Sequence, residues 1–148
     1  MPATMTHTAP LSLPSLSGRR ILLVEPDPRA LVVHFALLRA LGASVAQVPS
    51  TMLALHEAAE GPFDAAIVPA MAPECPGHVL VEALRRRQPG LPALFCGGAP
   101  PGWAGGTPGA SLDLPARPAL AELCDALHRL LDTATARPAA LAESWSRQ

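Results

Sequence analysis

Short apolar runs alternate with longer stretches of helical period along most of this chain. Residues 20–24, Arg-Ile-Leu-Leu-Val, are continuously apolar after the first position, a pattern suited to a strand buried on both faces. Asp27-Pro28 then reads as a helix start. Asp27 can accept from free backbone N–H groups, and Pro28 fits the first helical position. The helix is expected to run to about Leu41 and to stop at Gly42. A second strand follows at 44–47, and Ser50 caps a second helix over about 51–60, closed by Gly61-Pro62. A third strand is expected at 65–68, a third helix at 77–88 and a fourth strand at 93–95. A weak fifth strand falls at 111–114. The last helix, 119–133, carries Leu120, Leu123, Cys124, Leu127, Leu130 and Leu131 on one face.

Strands alternating with helices on short connections predict an α/β fold: a three-layer, doubly wound, five-stranded parallel sheet with helices on both faces. In such sheets the ligand or active site lies beyond the carboxyl ends of the strands. One connection departs from the pattern. Nine of the thirteen residues in 97–109 are Gly or Pro. At about 1 kcal/mol per Gly and about 3 per interior Pro, a helix there is prohibited. A loop is predicted where this fold ordinarily has the helix between its fourth and fifth strands. Residues 1–18 mix Ser, Thr and Pro without a period and read as a flexible lead-in to a domain over 19–133. Residues 134–148 read as an Ala-rich tail.

Composition narrows the function. The chain has 148 residues, 49% apolar, with a formal net charge of −1, which suits one domain with a core and argues against a nucleic-acid surface. No apolar run approaches the roughly 20 residues of a membrane span, and a signal-peptide pattern is missing, so a cytoplasmic protein is expected. The chain contains no Lys, Asn or Tyr, and all 11 basic residues are Arg. Those missing types use A/T-rich codons, which fits a GC-rich bacterial genome. Lysine-based chemistry is excluded. About fifteen residues after Thr133 are too few for a helix-turn-helix unit.

The chain resembles the receiver domains of bacterial response regulators over about residues 19 to 133. The resemblance is carried by residues 20–28 (RILLVEPDP), 62–73 (PFDAAIVPAMAP) with Gly77, 91–95 (LPALF), and Gly109-Ala110 followed by Arg117-Pro118. It implies the flavodoxin-like strand order 2-1-3-4-5. A typical receiver holds Mg²⁺ with acidic residues after its first strand and takes phosphate from a histidine kinase on an aspartate ending its third. A Ser or Thr after strand four and a Lys after strand five then read the phosphoryl group. Carried onto this chain, the acidic pair falls on Glu25 and Pro26, beside Asp27. The acceptor falls on Pro69, the hydroxyl on Gly97 and the lysine on Arg117.

Proline offers Mg²⁺ no side-chain oxygen, Pro69 has no carboxylate to phosphorylate, and Gly97 has no hydroxyl. Arg117 keeps the charge but not the shape of lysine. The expectation is therefore a degenerate, stand-alone receiver: no enzyme, no cofactor, and a phosphorylation-independent protein–protein interaction module in two-component signal transduction. Its expected partner is a histidine kinase or another two-component protein, with a homodimer as a further possibility and neither nucleic acid nor membrane. Glu25 is expected to pair with Arg117 across the pocket, and Asp27 to cap the first helix.

The first helix is apolar nearly all round, since Val33, Leu37 and Leu41 add a second stripe to Leu31, Phe35 and Leu38. Its cover is the 11–16 segment, a second copy or a partner; with Trp103 in the Gly/Pro loop, Val33, Leu37 and Leu41 form the candidate interface. The alternative function is a small-molecule or thiol-redox sensor using the emptied pocket. Cys75, His78 and Cys96 all fall at the functional edge in this topology, and a Zn²⁺ site there lacks an evident fourth ligand. Glu74 lies in the same loop. Arg85-Arg86-Arg87 reads as a solvated helix end.

Overall fold

The structure, a computed structural model, describes residues 15–71, 75–97 and 109–136. Its elements in chain order are β1 (Arg20–Val24), α1 (Pro28–Ala40), β2 (Ser44–Val48), α2 (Thr51–Ala58), β3 (Ala65–Pro69), α3 (Gly77–Arg87), β4 (Gly90–Cys96), β5 (Gly109–Leu114) and α4 (Leu120–Ala136). The strands form one parallel sheet in the order β2-β1-β3-β4-β5. This is the predicted topology, with four helices among the described residues. Residues 98–108, where a loop is expected in place of a helix, lie outside the described set, as do residues 1–14 and 137–148.

Successive strand side chains point to opposite faces, so each strand feeds two cores. Ile21, Leu23, Ile67 and Leu94 meet Leu38 of α1 and the Leu123, Leu127 and Leu130 stripe of α4 on one side. Leu22, Val24, Val68 and Phe95 meet Ala54 of α2 and Leu80 and Leu84 of α3 on the other. Burial on both faces is what makes these strands read as unbroken apolar runs. Local chemistry sets the helix starts: Asp27 Oδ1 accepts from Arg29 N at 3.1 Å, and Ser50 Oγ accepts from Leu53 N at 3.2 Å.

Several boundaries differ from expectation. β4 reaches back to Gly90 through Pro92, because a register shift between Gly90 and Ala93 excuses the proline from the ladder. β5 begins at Gly109, inside the predicted loop, and α4 continues past Thr133.

Two corrections matter more. Leu16 belongs to the fold rather than to a flexible lead-in: it is 1% exposed, and its N–H donates to the Leu41 carbonyl at 2.8 Å. It joins the core layer that Leu37 and Leu41 pack against. This covers part of the second apolar stripe of α1, so those two residues are half-buried within the domain. Arg85 is not a solvated helix end. It is buried, whereas Arg86 and Arg87 are exposed.

Candidate functional site

The carboxyl edge of the sheet is assembled by hydrogen bonds that run one residue past each strand. Glu25 N donates to Val48 O at 3.0 Å, Ala70 N to Cys96 O at 2.8 Å and Gly97 N to Leu114 O at 2.7 Å. Glu25, Pro69 and Gly97 therefore stand side by side on β1, β3 and β4, in the order the resemblance implies. Below Pro69 the chain turns back through a bridge between Met71 and Pro76 and enters α3 at Gly77, whose N–H donates to Ala70 O at 2.9 Å. A Cβ at Gly77 would strike the Pro69 carbonyl oxygen, so only glycine lets α3 start this close to the strand end.

The carboxylates of this edge are engaged with backbone. Glu25 Oε2 accepts from Asp27 N at 3.1 Å, and Asp27 caps α1. Arg117 is exposed between β5 and α4, and its peptide bond to Pro118 is trans. The expected Glu25–Arg117 ion pair does not form. Among the described residues Arg19–Asp64 and Arg129–Asp125 are ion-paired, and Glu25 is engaged instead by the Asp27 N–H.

Cys75 and Cys96 part company across the sheet. Cys75 packs against the α2 and α3 layer and Cys96 against the α1 and α4 layer, so they do not share a site. No group of three or more His, Cys, Asp or Glu side chains placed to hold a metal ion occurs among the described residues. Glu74 and Trp103 lie outside them. Burial, with the Glu25 charge behind it, pushes the Cys96 thiol up to about 12. Burial also raises Cys124, with Asp125 adding to it. Iodoacetamide at pH 8 is therefore expected to label Cys75 in the native chain and leave Cys96 and Cys124 unmodified, read by peptide mass spectrometry.

His34 of α1 lies within the electrostatic reach of Glu25 at this edge. It is buried on α1, its Nδ1 has no hydrogen-bond partner, and burial lowers its pKa against the opposing pull of Glu25. Between that lowered value and the ordinary 6.5, the unfolded chain takes up the proton first. Stability is thus expected to fall as pH drops through about 6.5. His34→Leu should flatten that slope and add about 1 kcal/mol by removing the orphaned nitrogen, as urea titrations at pH 5 and 7.5 would report.

Among the described residues, the exposed large apolar side chains share one end of the fold. Val32 and Val33 lie in the first two turns of α1, Met52 and Leu53 in the first turn of α2, and Met71 just beyond β3. Val79 opens α3, and Leu120 opens α4. Each helix begins where its preceding strand ends, so all seven ring the carboxyl edge. Met52 is 71% exposed and Met71 76%.

No protein-family model matches the chain, and no curated protein does. Solved structures do. A response regulator receiver protein from Sinorhizobium medicae is 26% identical, with a TM-score of 0.69 over 81% of this chain and 99% of that one. The receiver domain of the hybrid histidine kinase CckA is 27% identical, with a TM-score of 0.64 over 76% and 98%. The fold is that of a response-regulator receiver domain. A third receiver domain, from a Pseudomonas aeruginosa sensor histidine kinase, is 24% identical with a TM-score of 0.64 over 78% and 99%. That structure has a magnesium ion coordinated in its active-site cleft. No helix among the described residues of the present receiver fold is long and apolar enough to cross a membrane.

Proposed function

We propose that this receiver-fold chain acts in two-component signalling as a phosphorylation-independent interaction module, docking a histidine kinase or another protein of that system. One observation carries the reading: the edge of the sheet where receivers handle phosphate presents prolines, a glycine and a ring of exposed apolar side chains. Pro69 occupies the acceptor position with no nucleophile. Mg²⁺ does not fit the residues present, since Pro26 and Pro69 have no side-chain oxygen and both nearby carboxylates already accept from backbone N–H groups. Large apolar side chains left exposed together at one end of a domain favour a protein contact there. The thiol-sensor alternative is weakened by Cys96, whose thiol stays protonated until about pH 12.

The test is cross-linking and pull-down from the source organism with wild type and the double variant Val33→Glu, Met52→Glu. A histidine kinase recovered with wild type and lost with the variant is the expected result. Recovery of the chain alone, or equal recovery with the variant, would contradict the reading.

A further inference from the structure

The outer edge of β2 is a second unpartnered surface, separate from the carboxyl edge. β2 pairs with β1 on one side, and no described residue pairs with it on the other. Which backbone groups face outward follows from the ladder. Ser44 N donates to Arg19 O at 2.8 Å, and Val48 O accepts from Glu25 N at 3.0 Å. In a parallel pair both groups of a residue point the same way, so Ser44, Ala46 and Val48 face β1. Val45 and Gln47 then aim two N–H and two C=O groups away from the sheet.

Soluble proteins guard such an edge with charge, proline or a bulge. β2, with the sequence SVAQV, has none of these, and its register with β1 is unbroken over five residues. The helix above it is apolar along the middle of the same flank. Leu37 and Leu41 pack toward Leu16 and the α4 side of α1, which leaves the opposite flank, with Val32, Phe35 and Ala36, over the β2 side. Val32 is 65% exposed, and the flank carries two charges, the exposed Arg29 at its amino end and Arg39, which stacks 5.6 Å from the Phe35 ring.

We propose that β2 pairs antiparallel with β2 of a second copy of this chain, joining two five-stranded sheets into one of ten strands. A two-fold axis at Ala46 sets Val45 opposite Gln47 of the other copy and Gln47 opposite its Val45. Each pair exchanges both N–H···O=C bonds, four in all, and these use every outward group of the edge. The occupant is a second copy because an uncharged strand meets no like charge when it faces itself, and the net charge of −1 opposes no approach. The α1 helices then run antiparallel across the axis, with their apolar flanks in contact and their dipoles opposed.

Light scattering on the full chain tests this, with a mass of twice 15.3 kDa expected at 100 μM. Gln47→Pro removes an outward N–H that the fold does not use, and is expected to give the 15.3 kDa monomer with an unchanged circular dichroism spectrum. Gln47→Lys places like charges across the axis and is expected to do the same if the proline variant misfolds. Ala46→Cys, which meets its own symmetry mate in a non-hydrogen-bonded pair, is expected to form a disulfide-linked dimer under mild oxidant. A monomeric wild type overturns the proposal. So does a dimer that persists in a folded Gln47→Pro or Gln47→Lys, or failure of Ala46→Cys to cross-link. The kinase pull-down does not depend on this edge, so each proposal stands or falls alone.

Discussion

Replacing Arg85 by alanine is expected to lower stability by about 3 kcal/mol, a large share of the margin of a domain this size. The side chain is 3% exposed on α3, yet its guanidinium reaches across to the far strands of the sheet. Nε donates to Leu91 O at 2.9 Å, and one terminal nitrogen donates to Ala110 O at 2.9 Å and Ser111 Oγ at 3.1 Å. β5 is an edge strand and, among the described residues, pairs only with β4, so this arginine ties it to the layer beneath. Truncation would remove these three hydrogen bonds and leave a void where the guanidinium lay. Burial lowers the pKa of Arg85, with Glu82 opposing, and a lysine could not span the three acceptors with a planar fork. Arg85→Lys should therefore recover only part of the loss. Gly109 is the matching constraint, because a Cβ there would fall 2.6 Å from Arg85 Nε. Urea titration of the three chains measures the effect, and a loss below about 0.5 kcal/mol for Arg85→Ala would refute the tie.

Leu16→Ala is expected to cost about 3 kcal/mol, as for other fully buried leucines. Leu16 fills the seam between the carboxyl end of α1 and α4. The Leu41 carbonyl holds its backbone, and the Ser15 carbonyl lies 3.3 Å from His128 Nε2. Removal of the side chain would also uncover Leu37 and Leu41, so the variant should bind a hydrophobic dye where wild type does not. A melting temperature equal to wild type would show that the domain begins later, at Arg20.

The sheet was legible because its strands are buried on both faces and flanked by caps that local chemistry defines. Asp27-Pro28 and Ser50 announce their helices by side-chain oxygens that find N–H groups two and three residues on. Arg85 was not legible in this way. Its partners are six, 25 and 26 residues distant, and three consecutive arginines look alike until β5 is in place. Leu16 sits among serines and prolines with no period, so its burial is decided entirely by α1 and α4. Of the site, the order of Glu25, Pro69 and Gly97 along the edge follows from topology alone, whereas the bond from Asp27 N to Glu25 depends on how the chain turns into α1. Of the apolar ring only Val33 is legible in the sequence, because the members, from Val32 to Leu120, share an edge and not a segment. The β4 extension through Pro92 needed the register shift that only pairing with β5 produces.

The proposed function requires that this receiver fold, with Pro69 at the acceptor position, work without taking phosphate. Intact-mass spectrometry of the chain after incubation with Mg²⁺ and acetyl phosphate, with a phosphorylatable receiver as the positive control, tests it most directly. No phosphoryl adduct on this chain is expected under conditions that modify the control. A stoichiometric adduct on any residue of the carboxyl edge would contradict it.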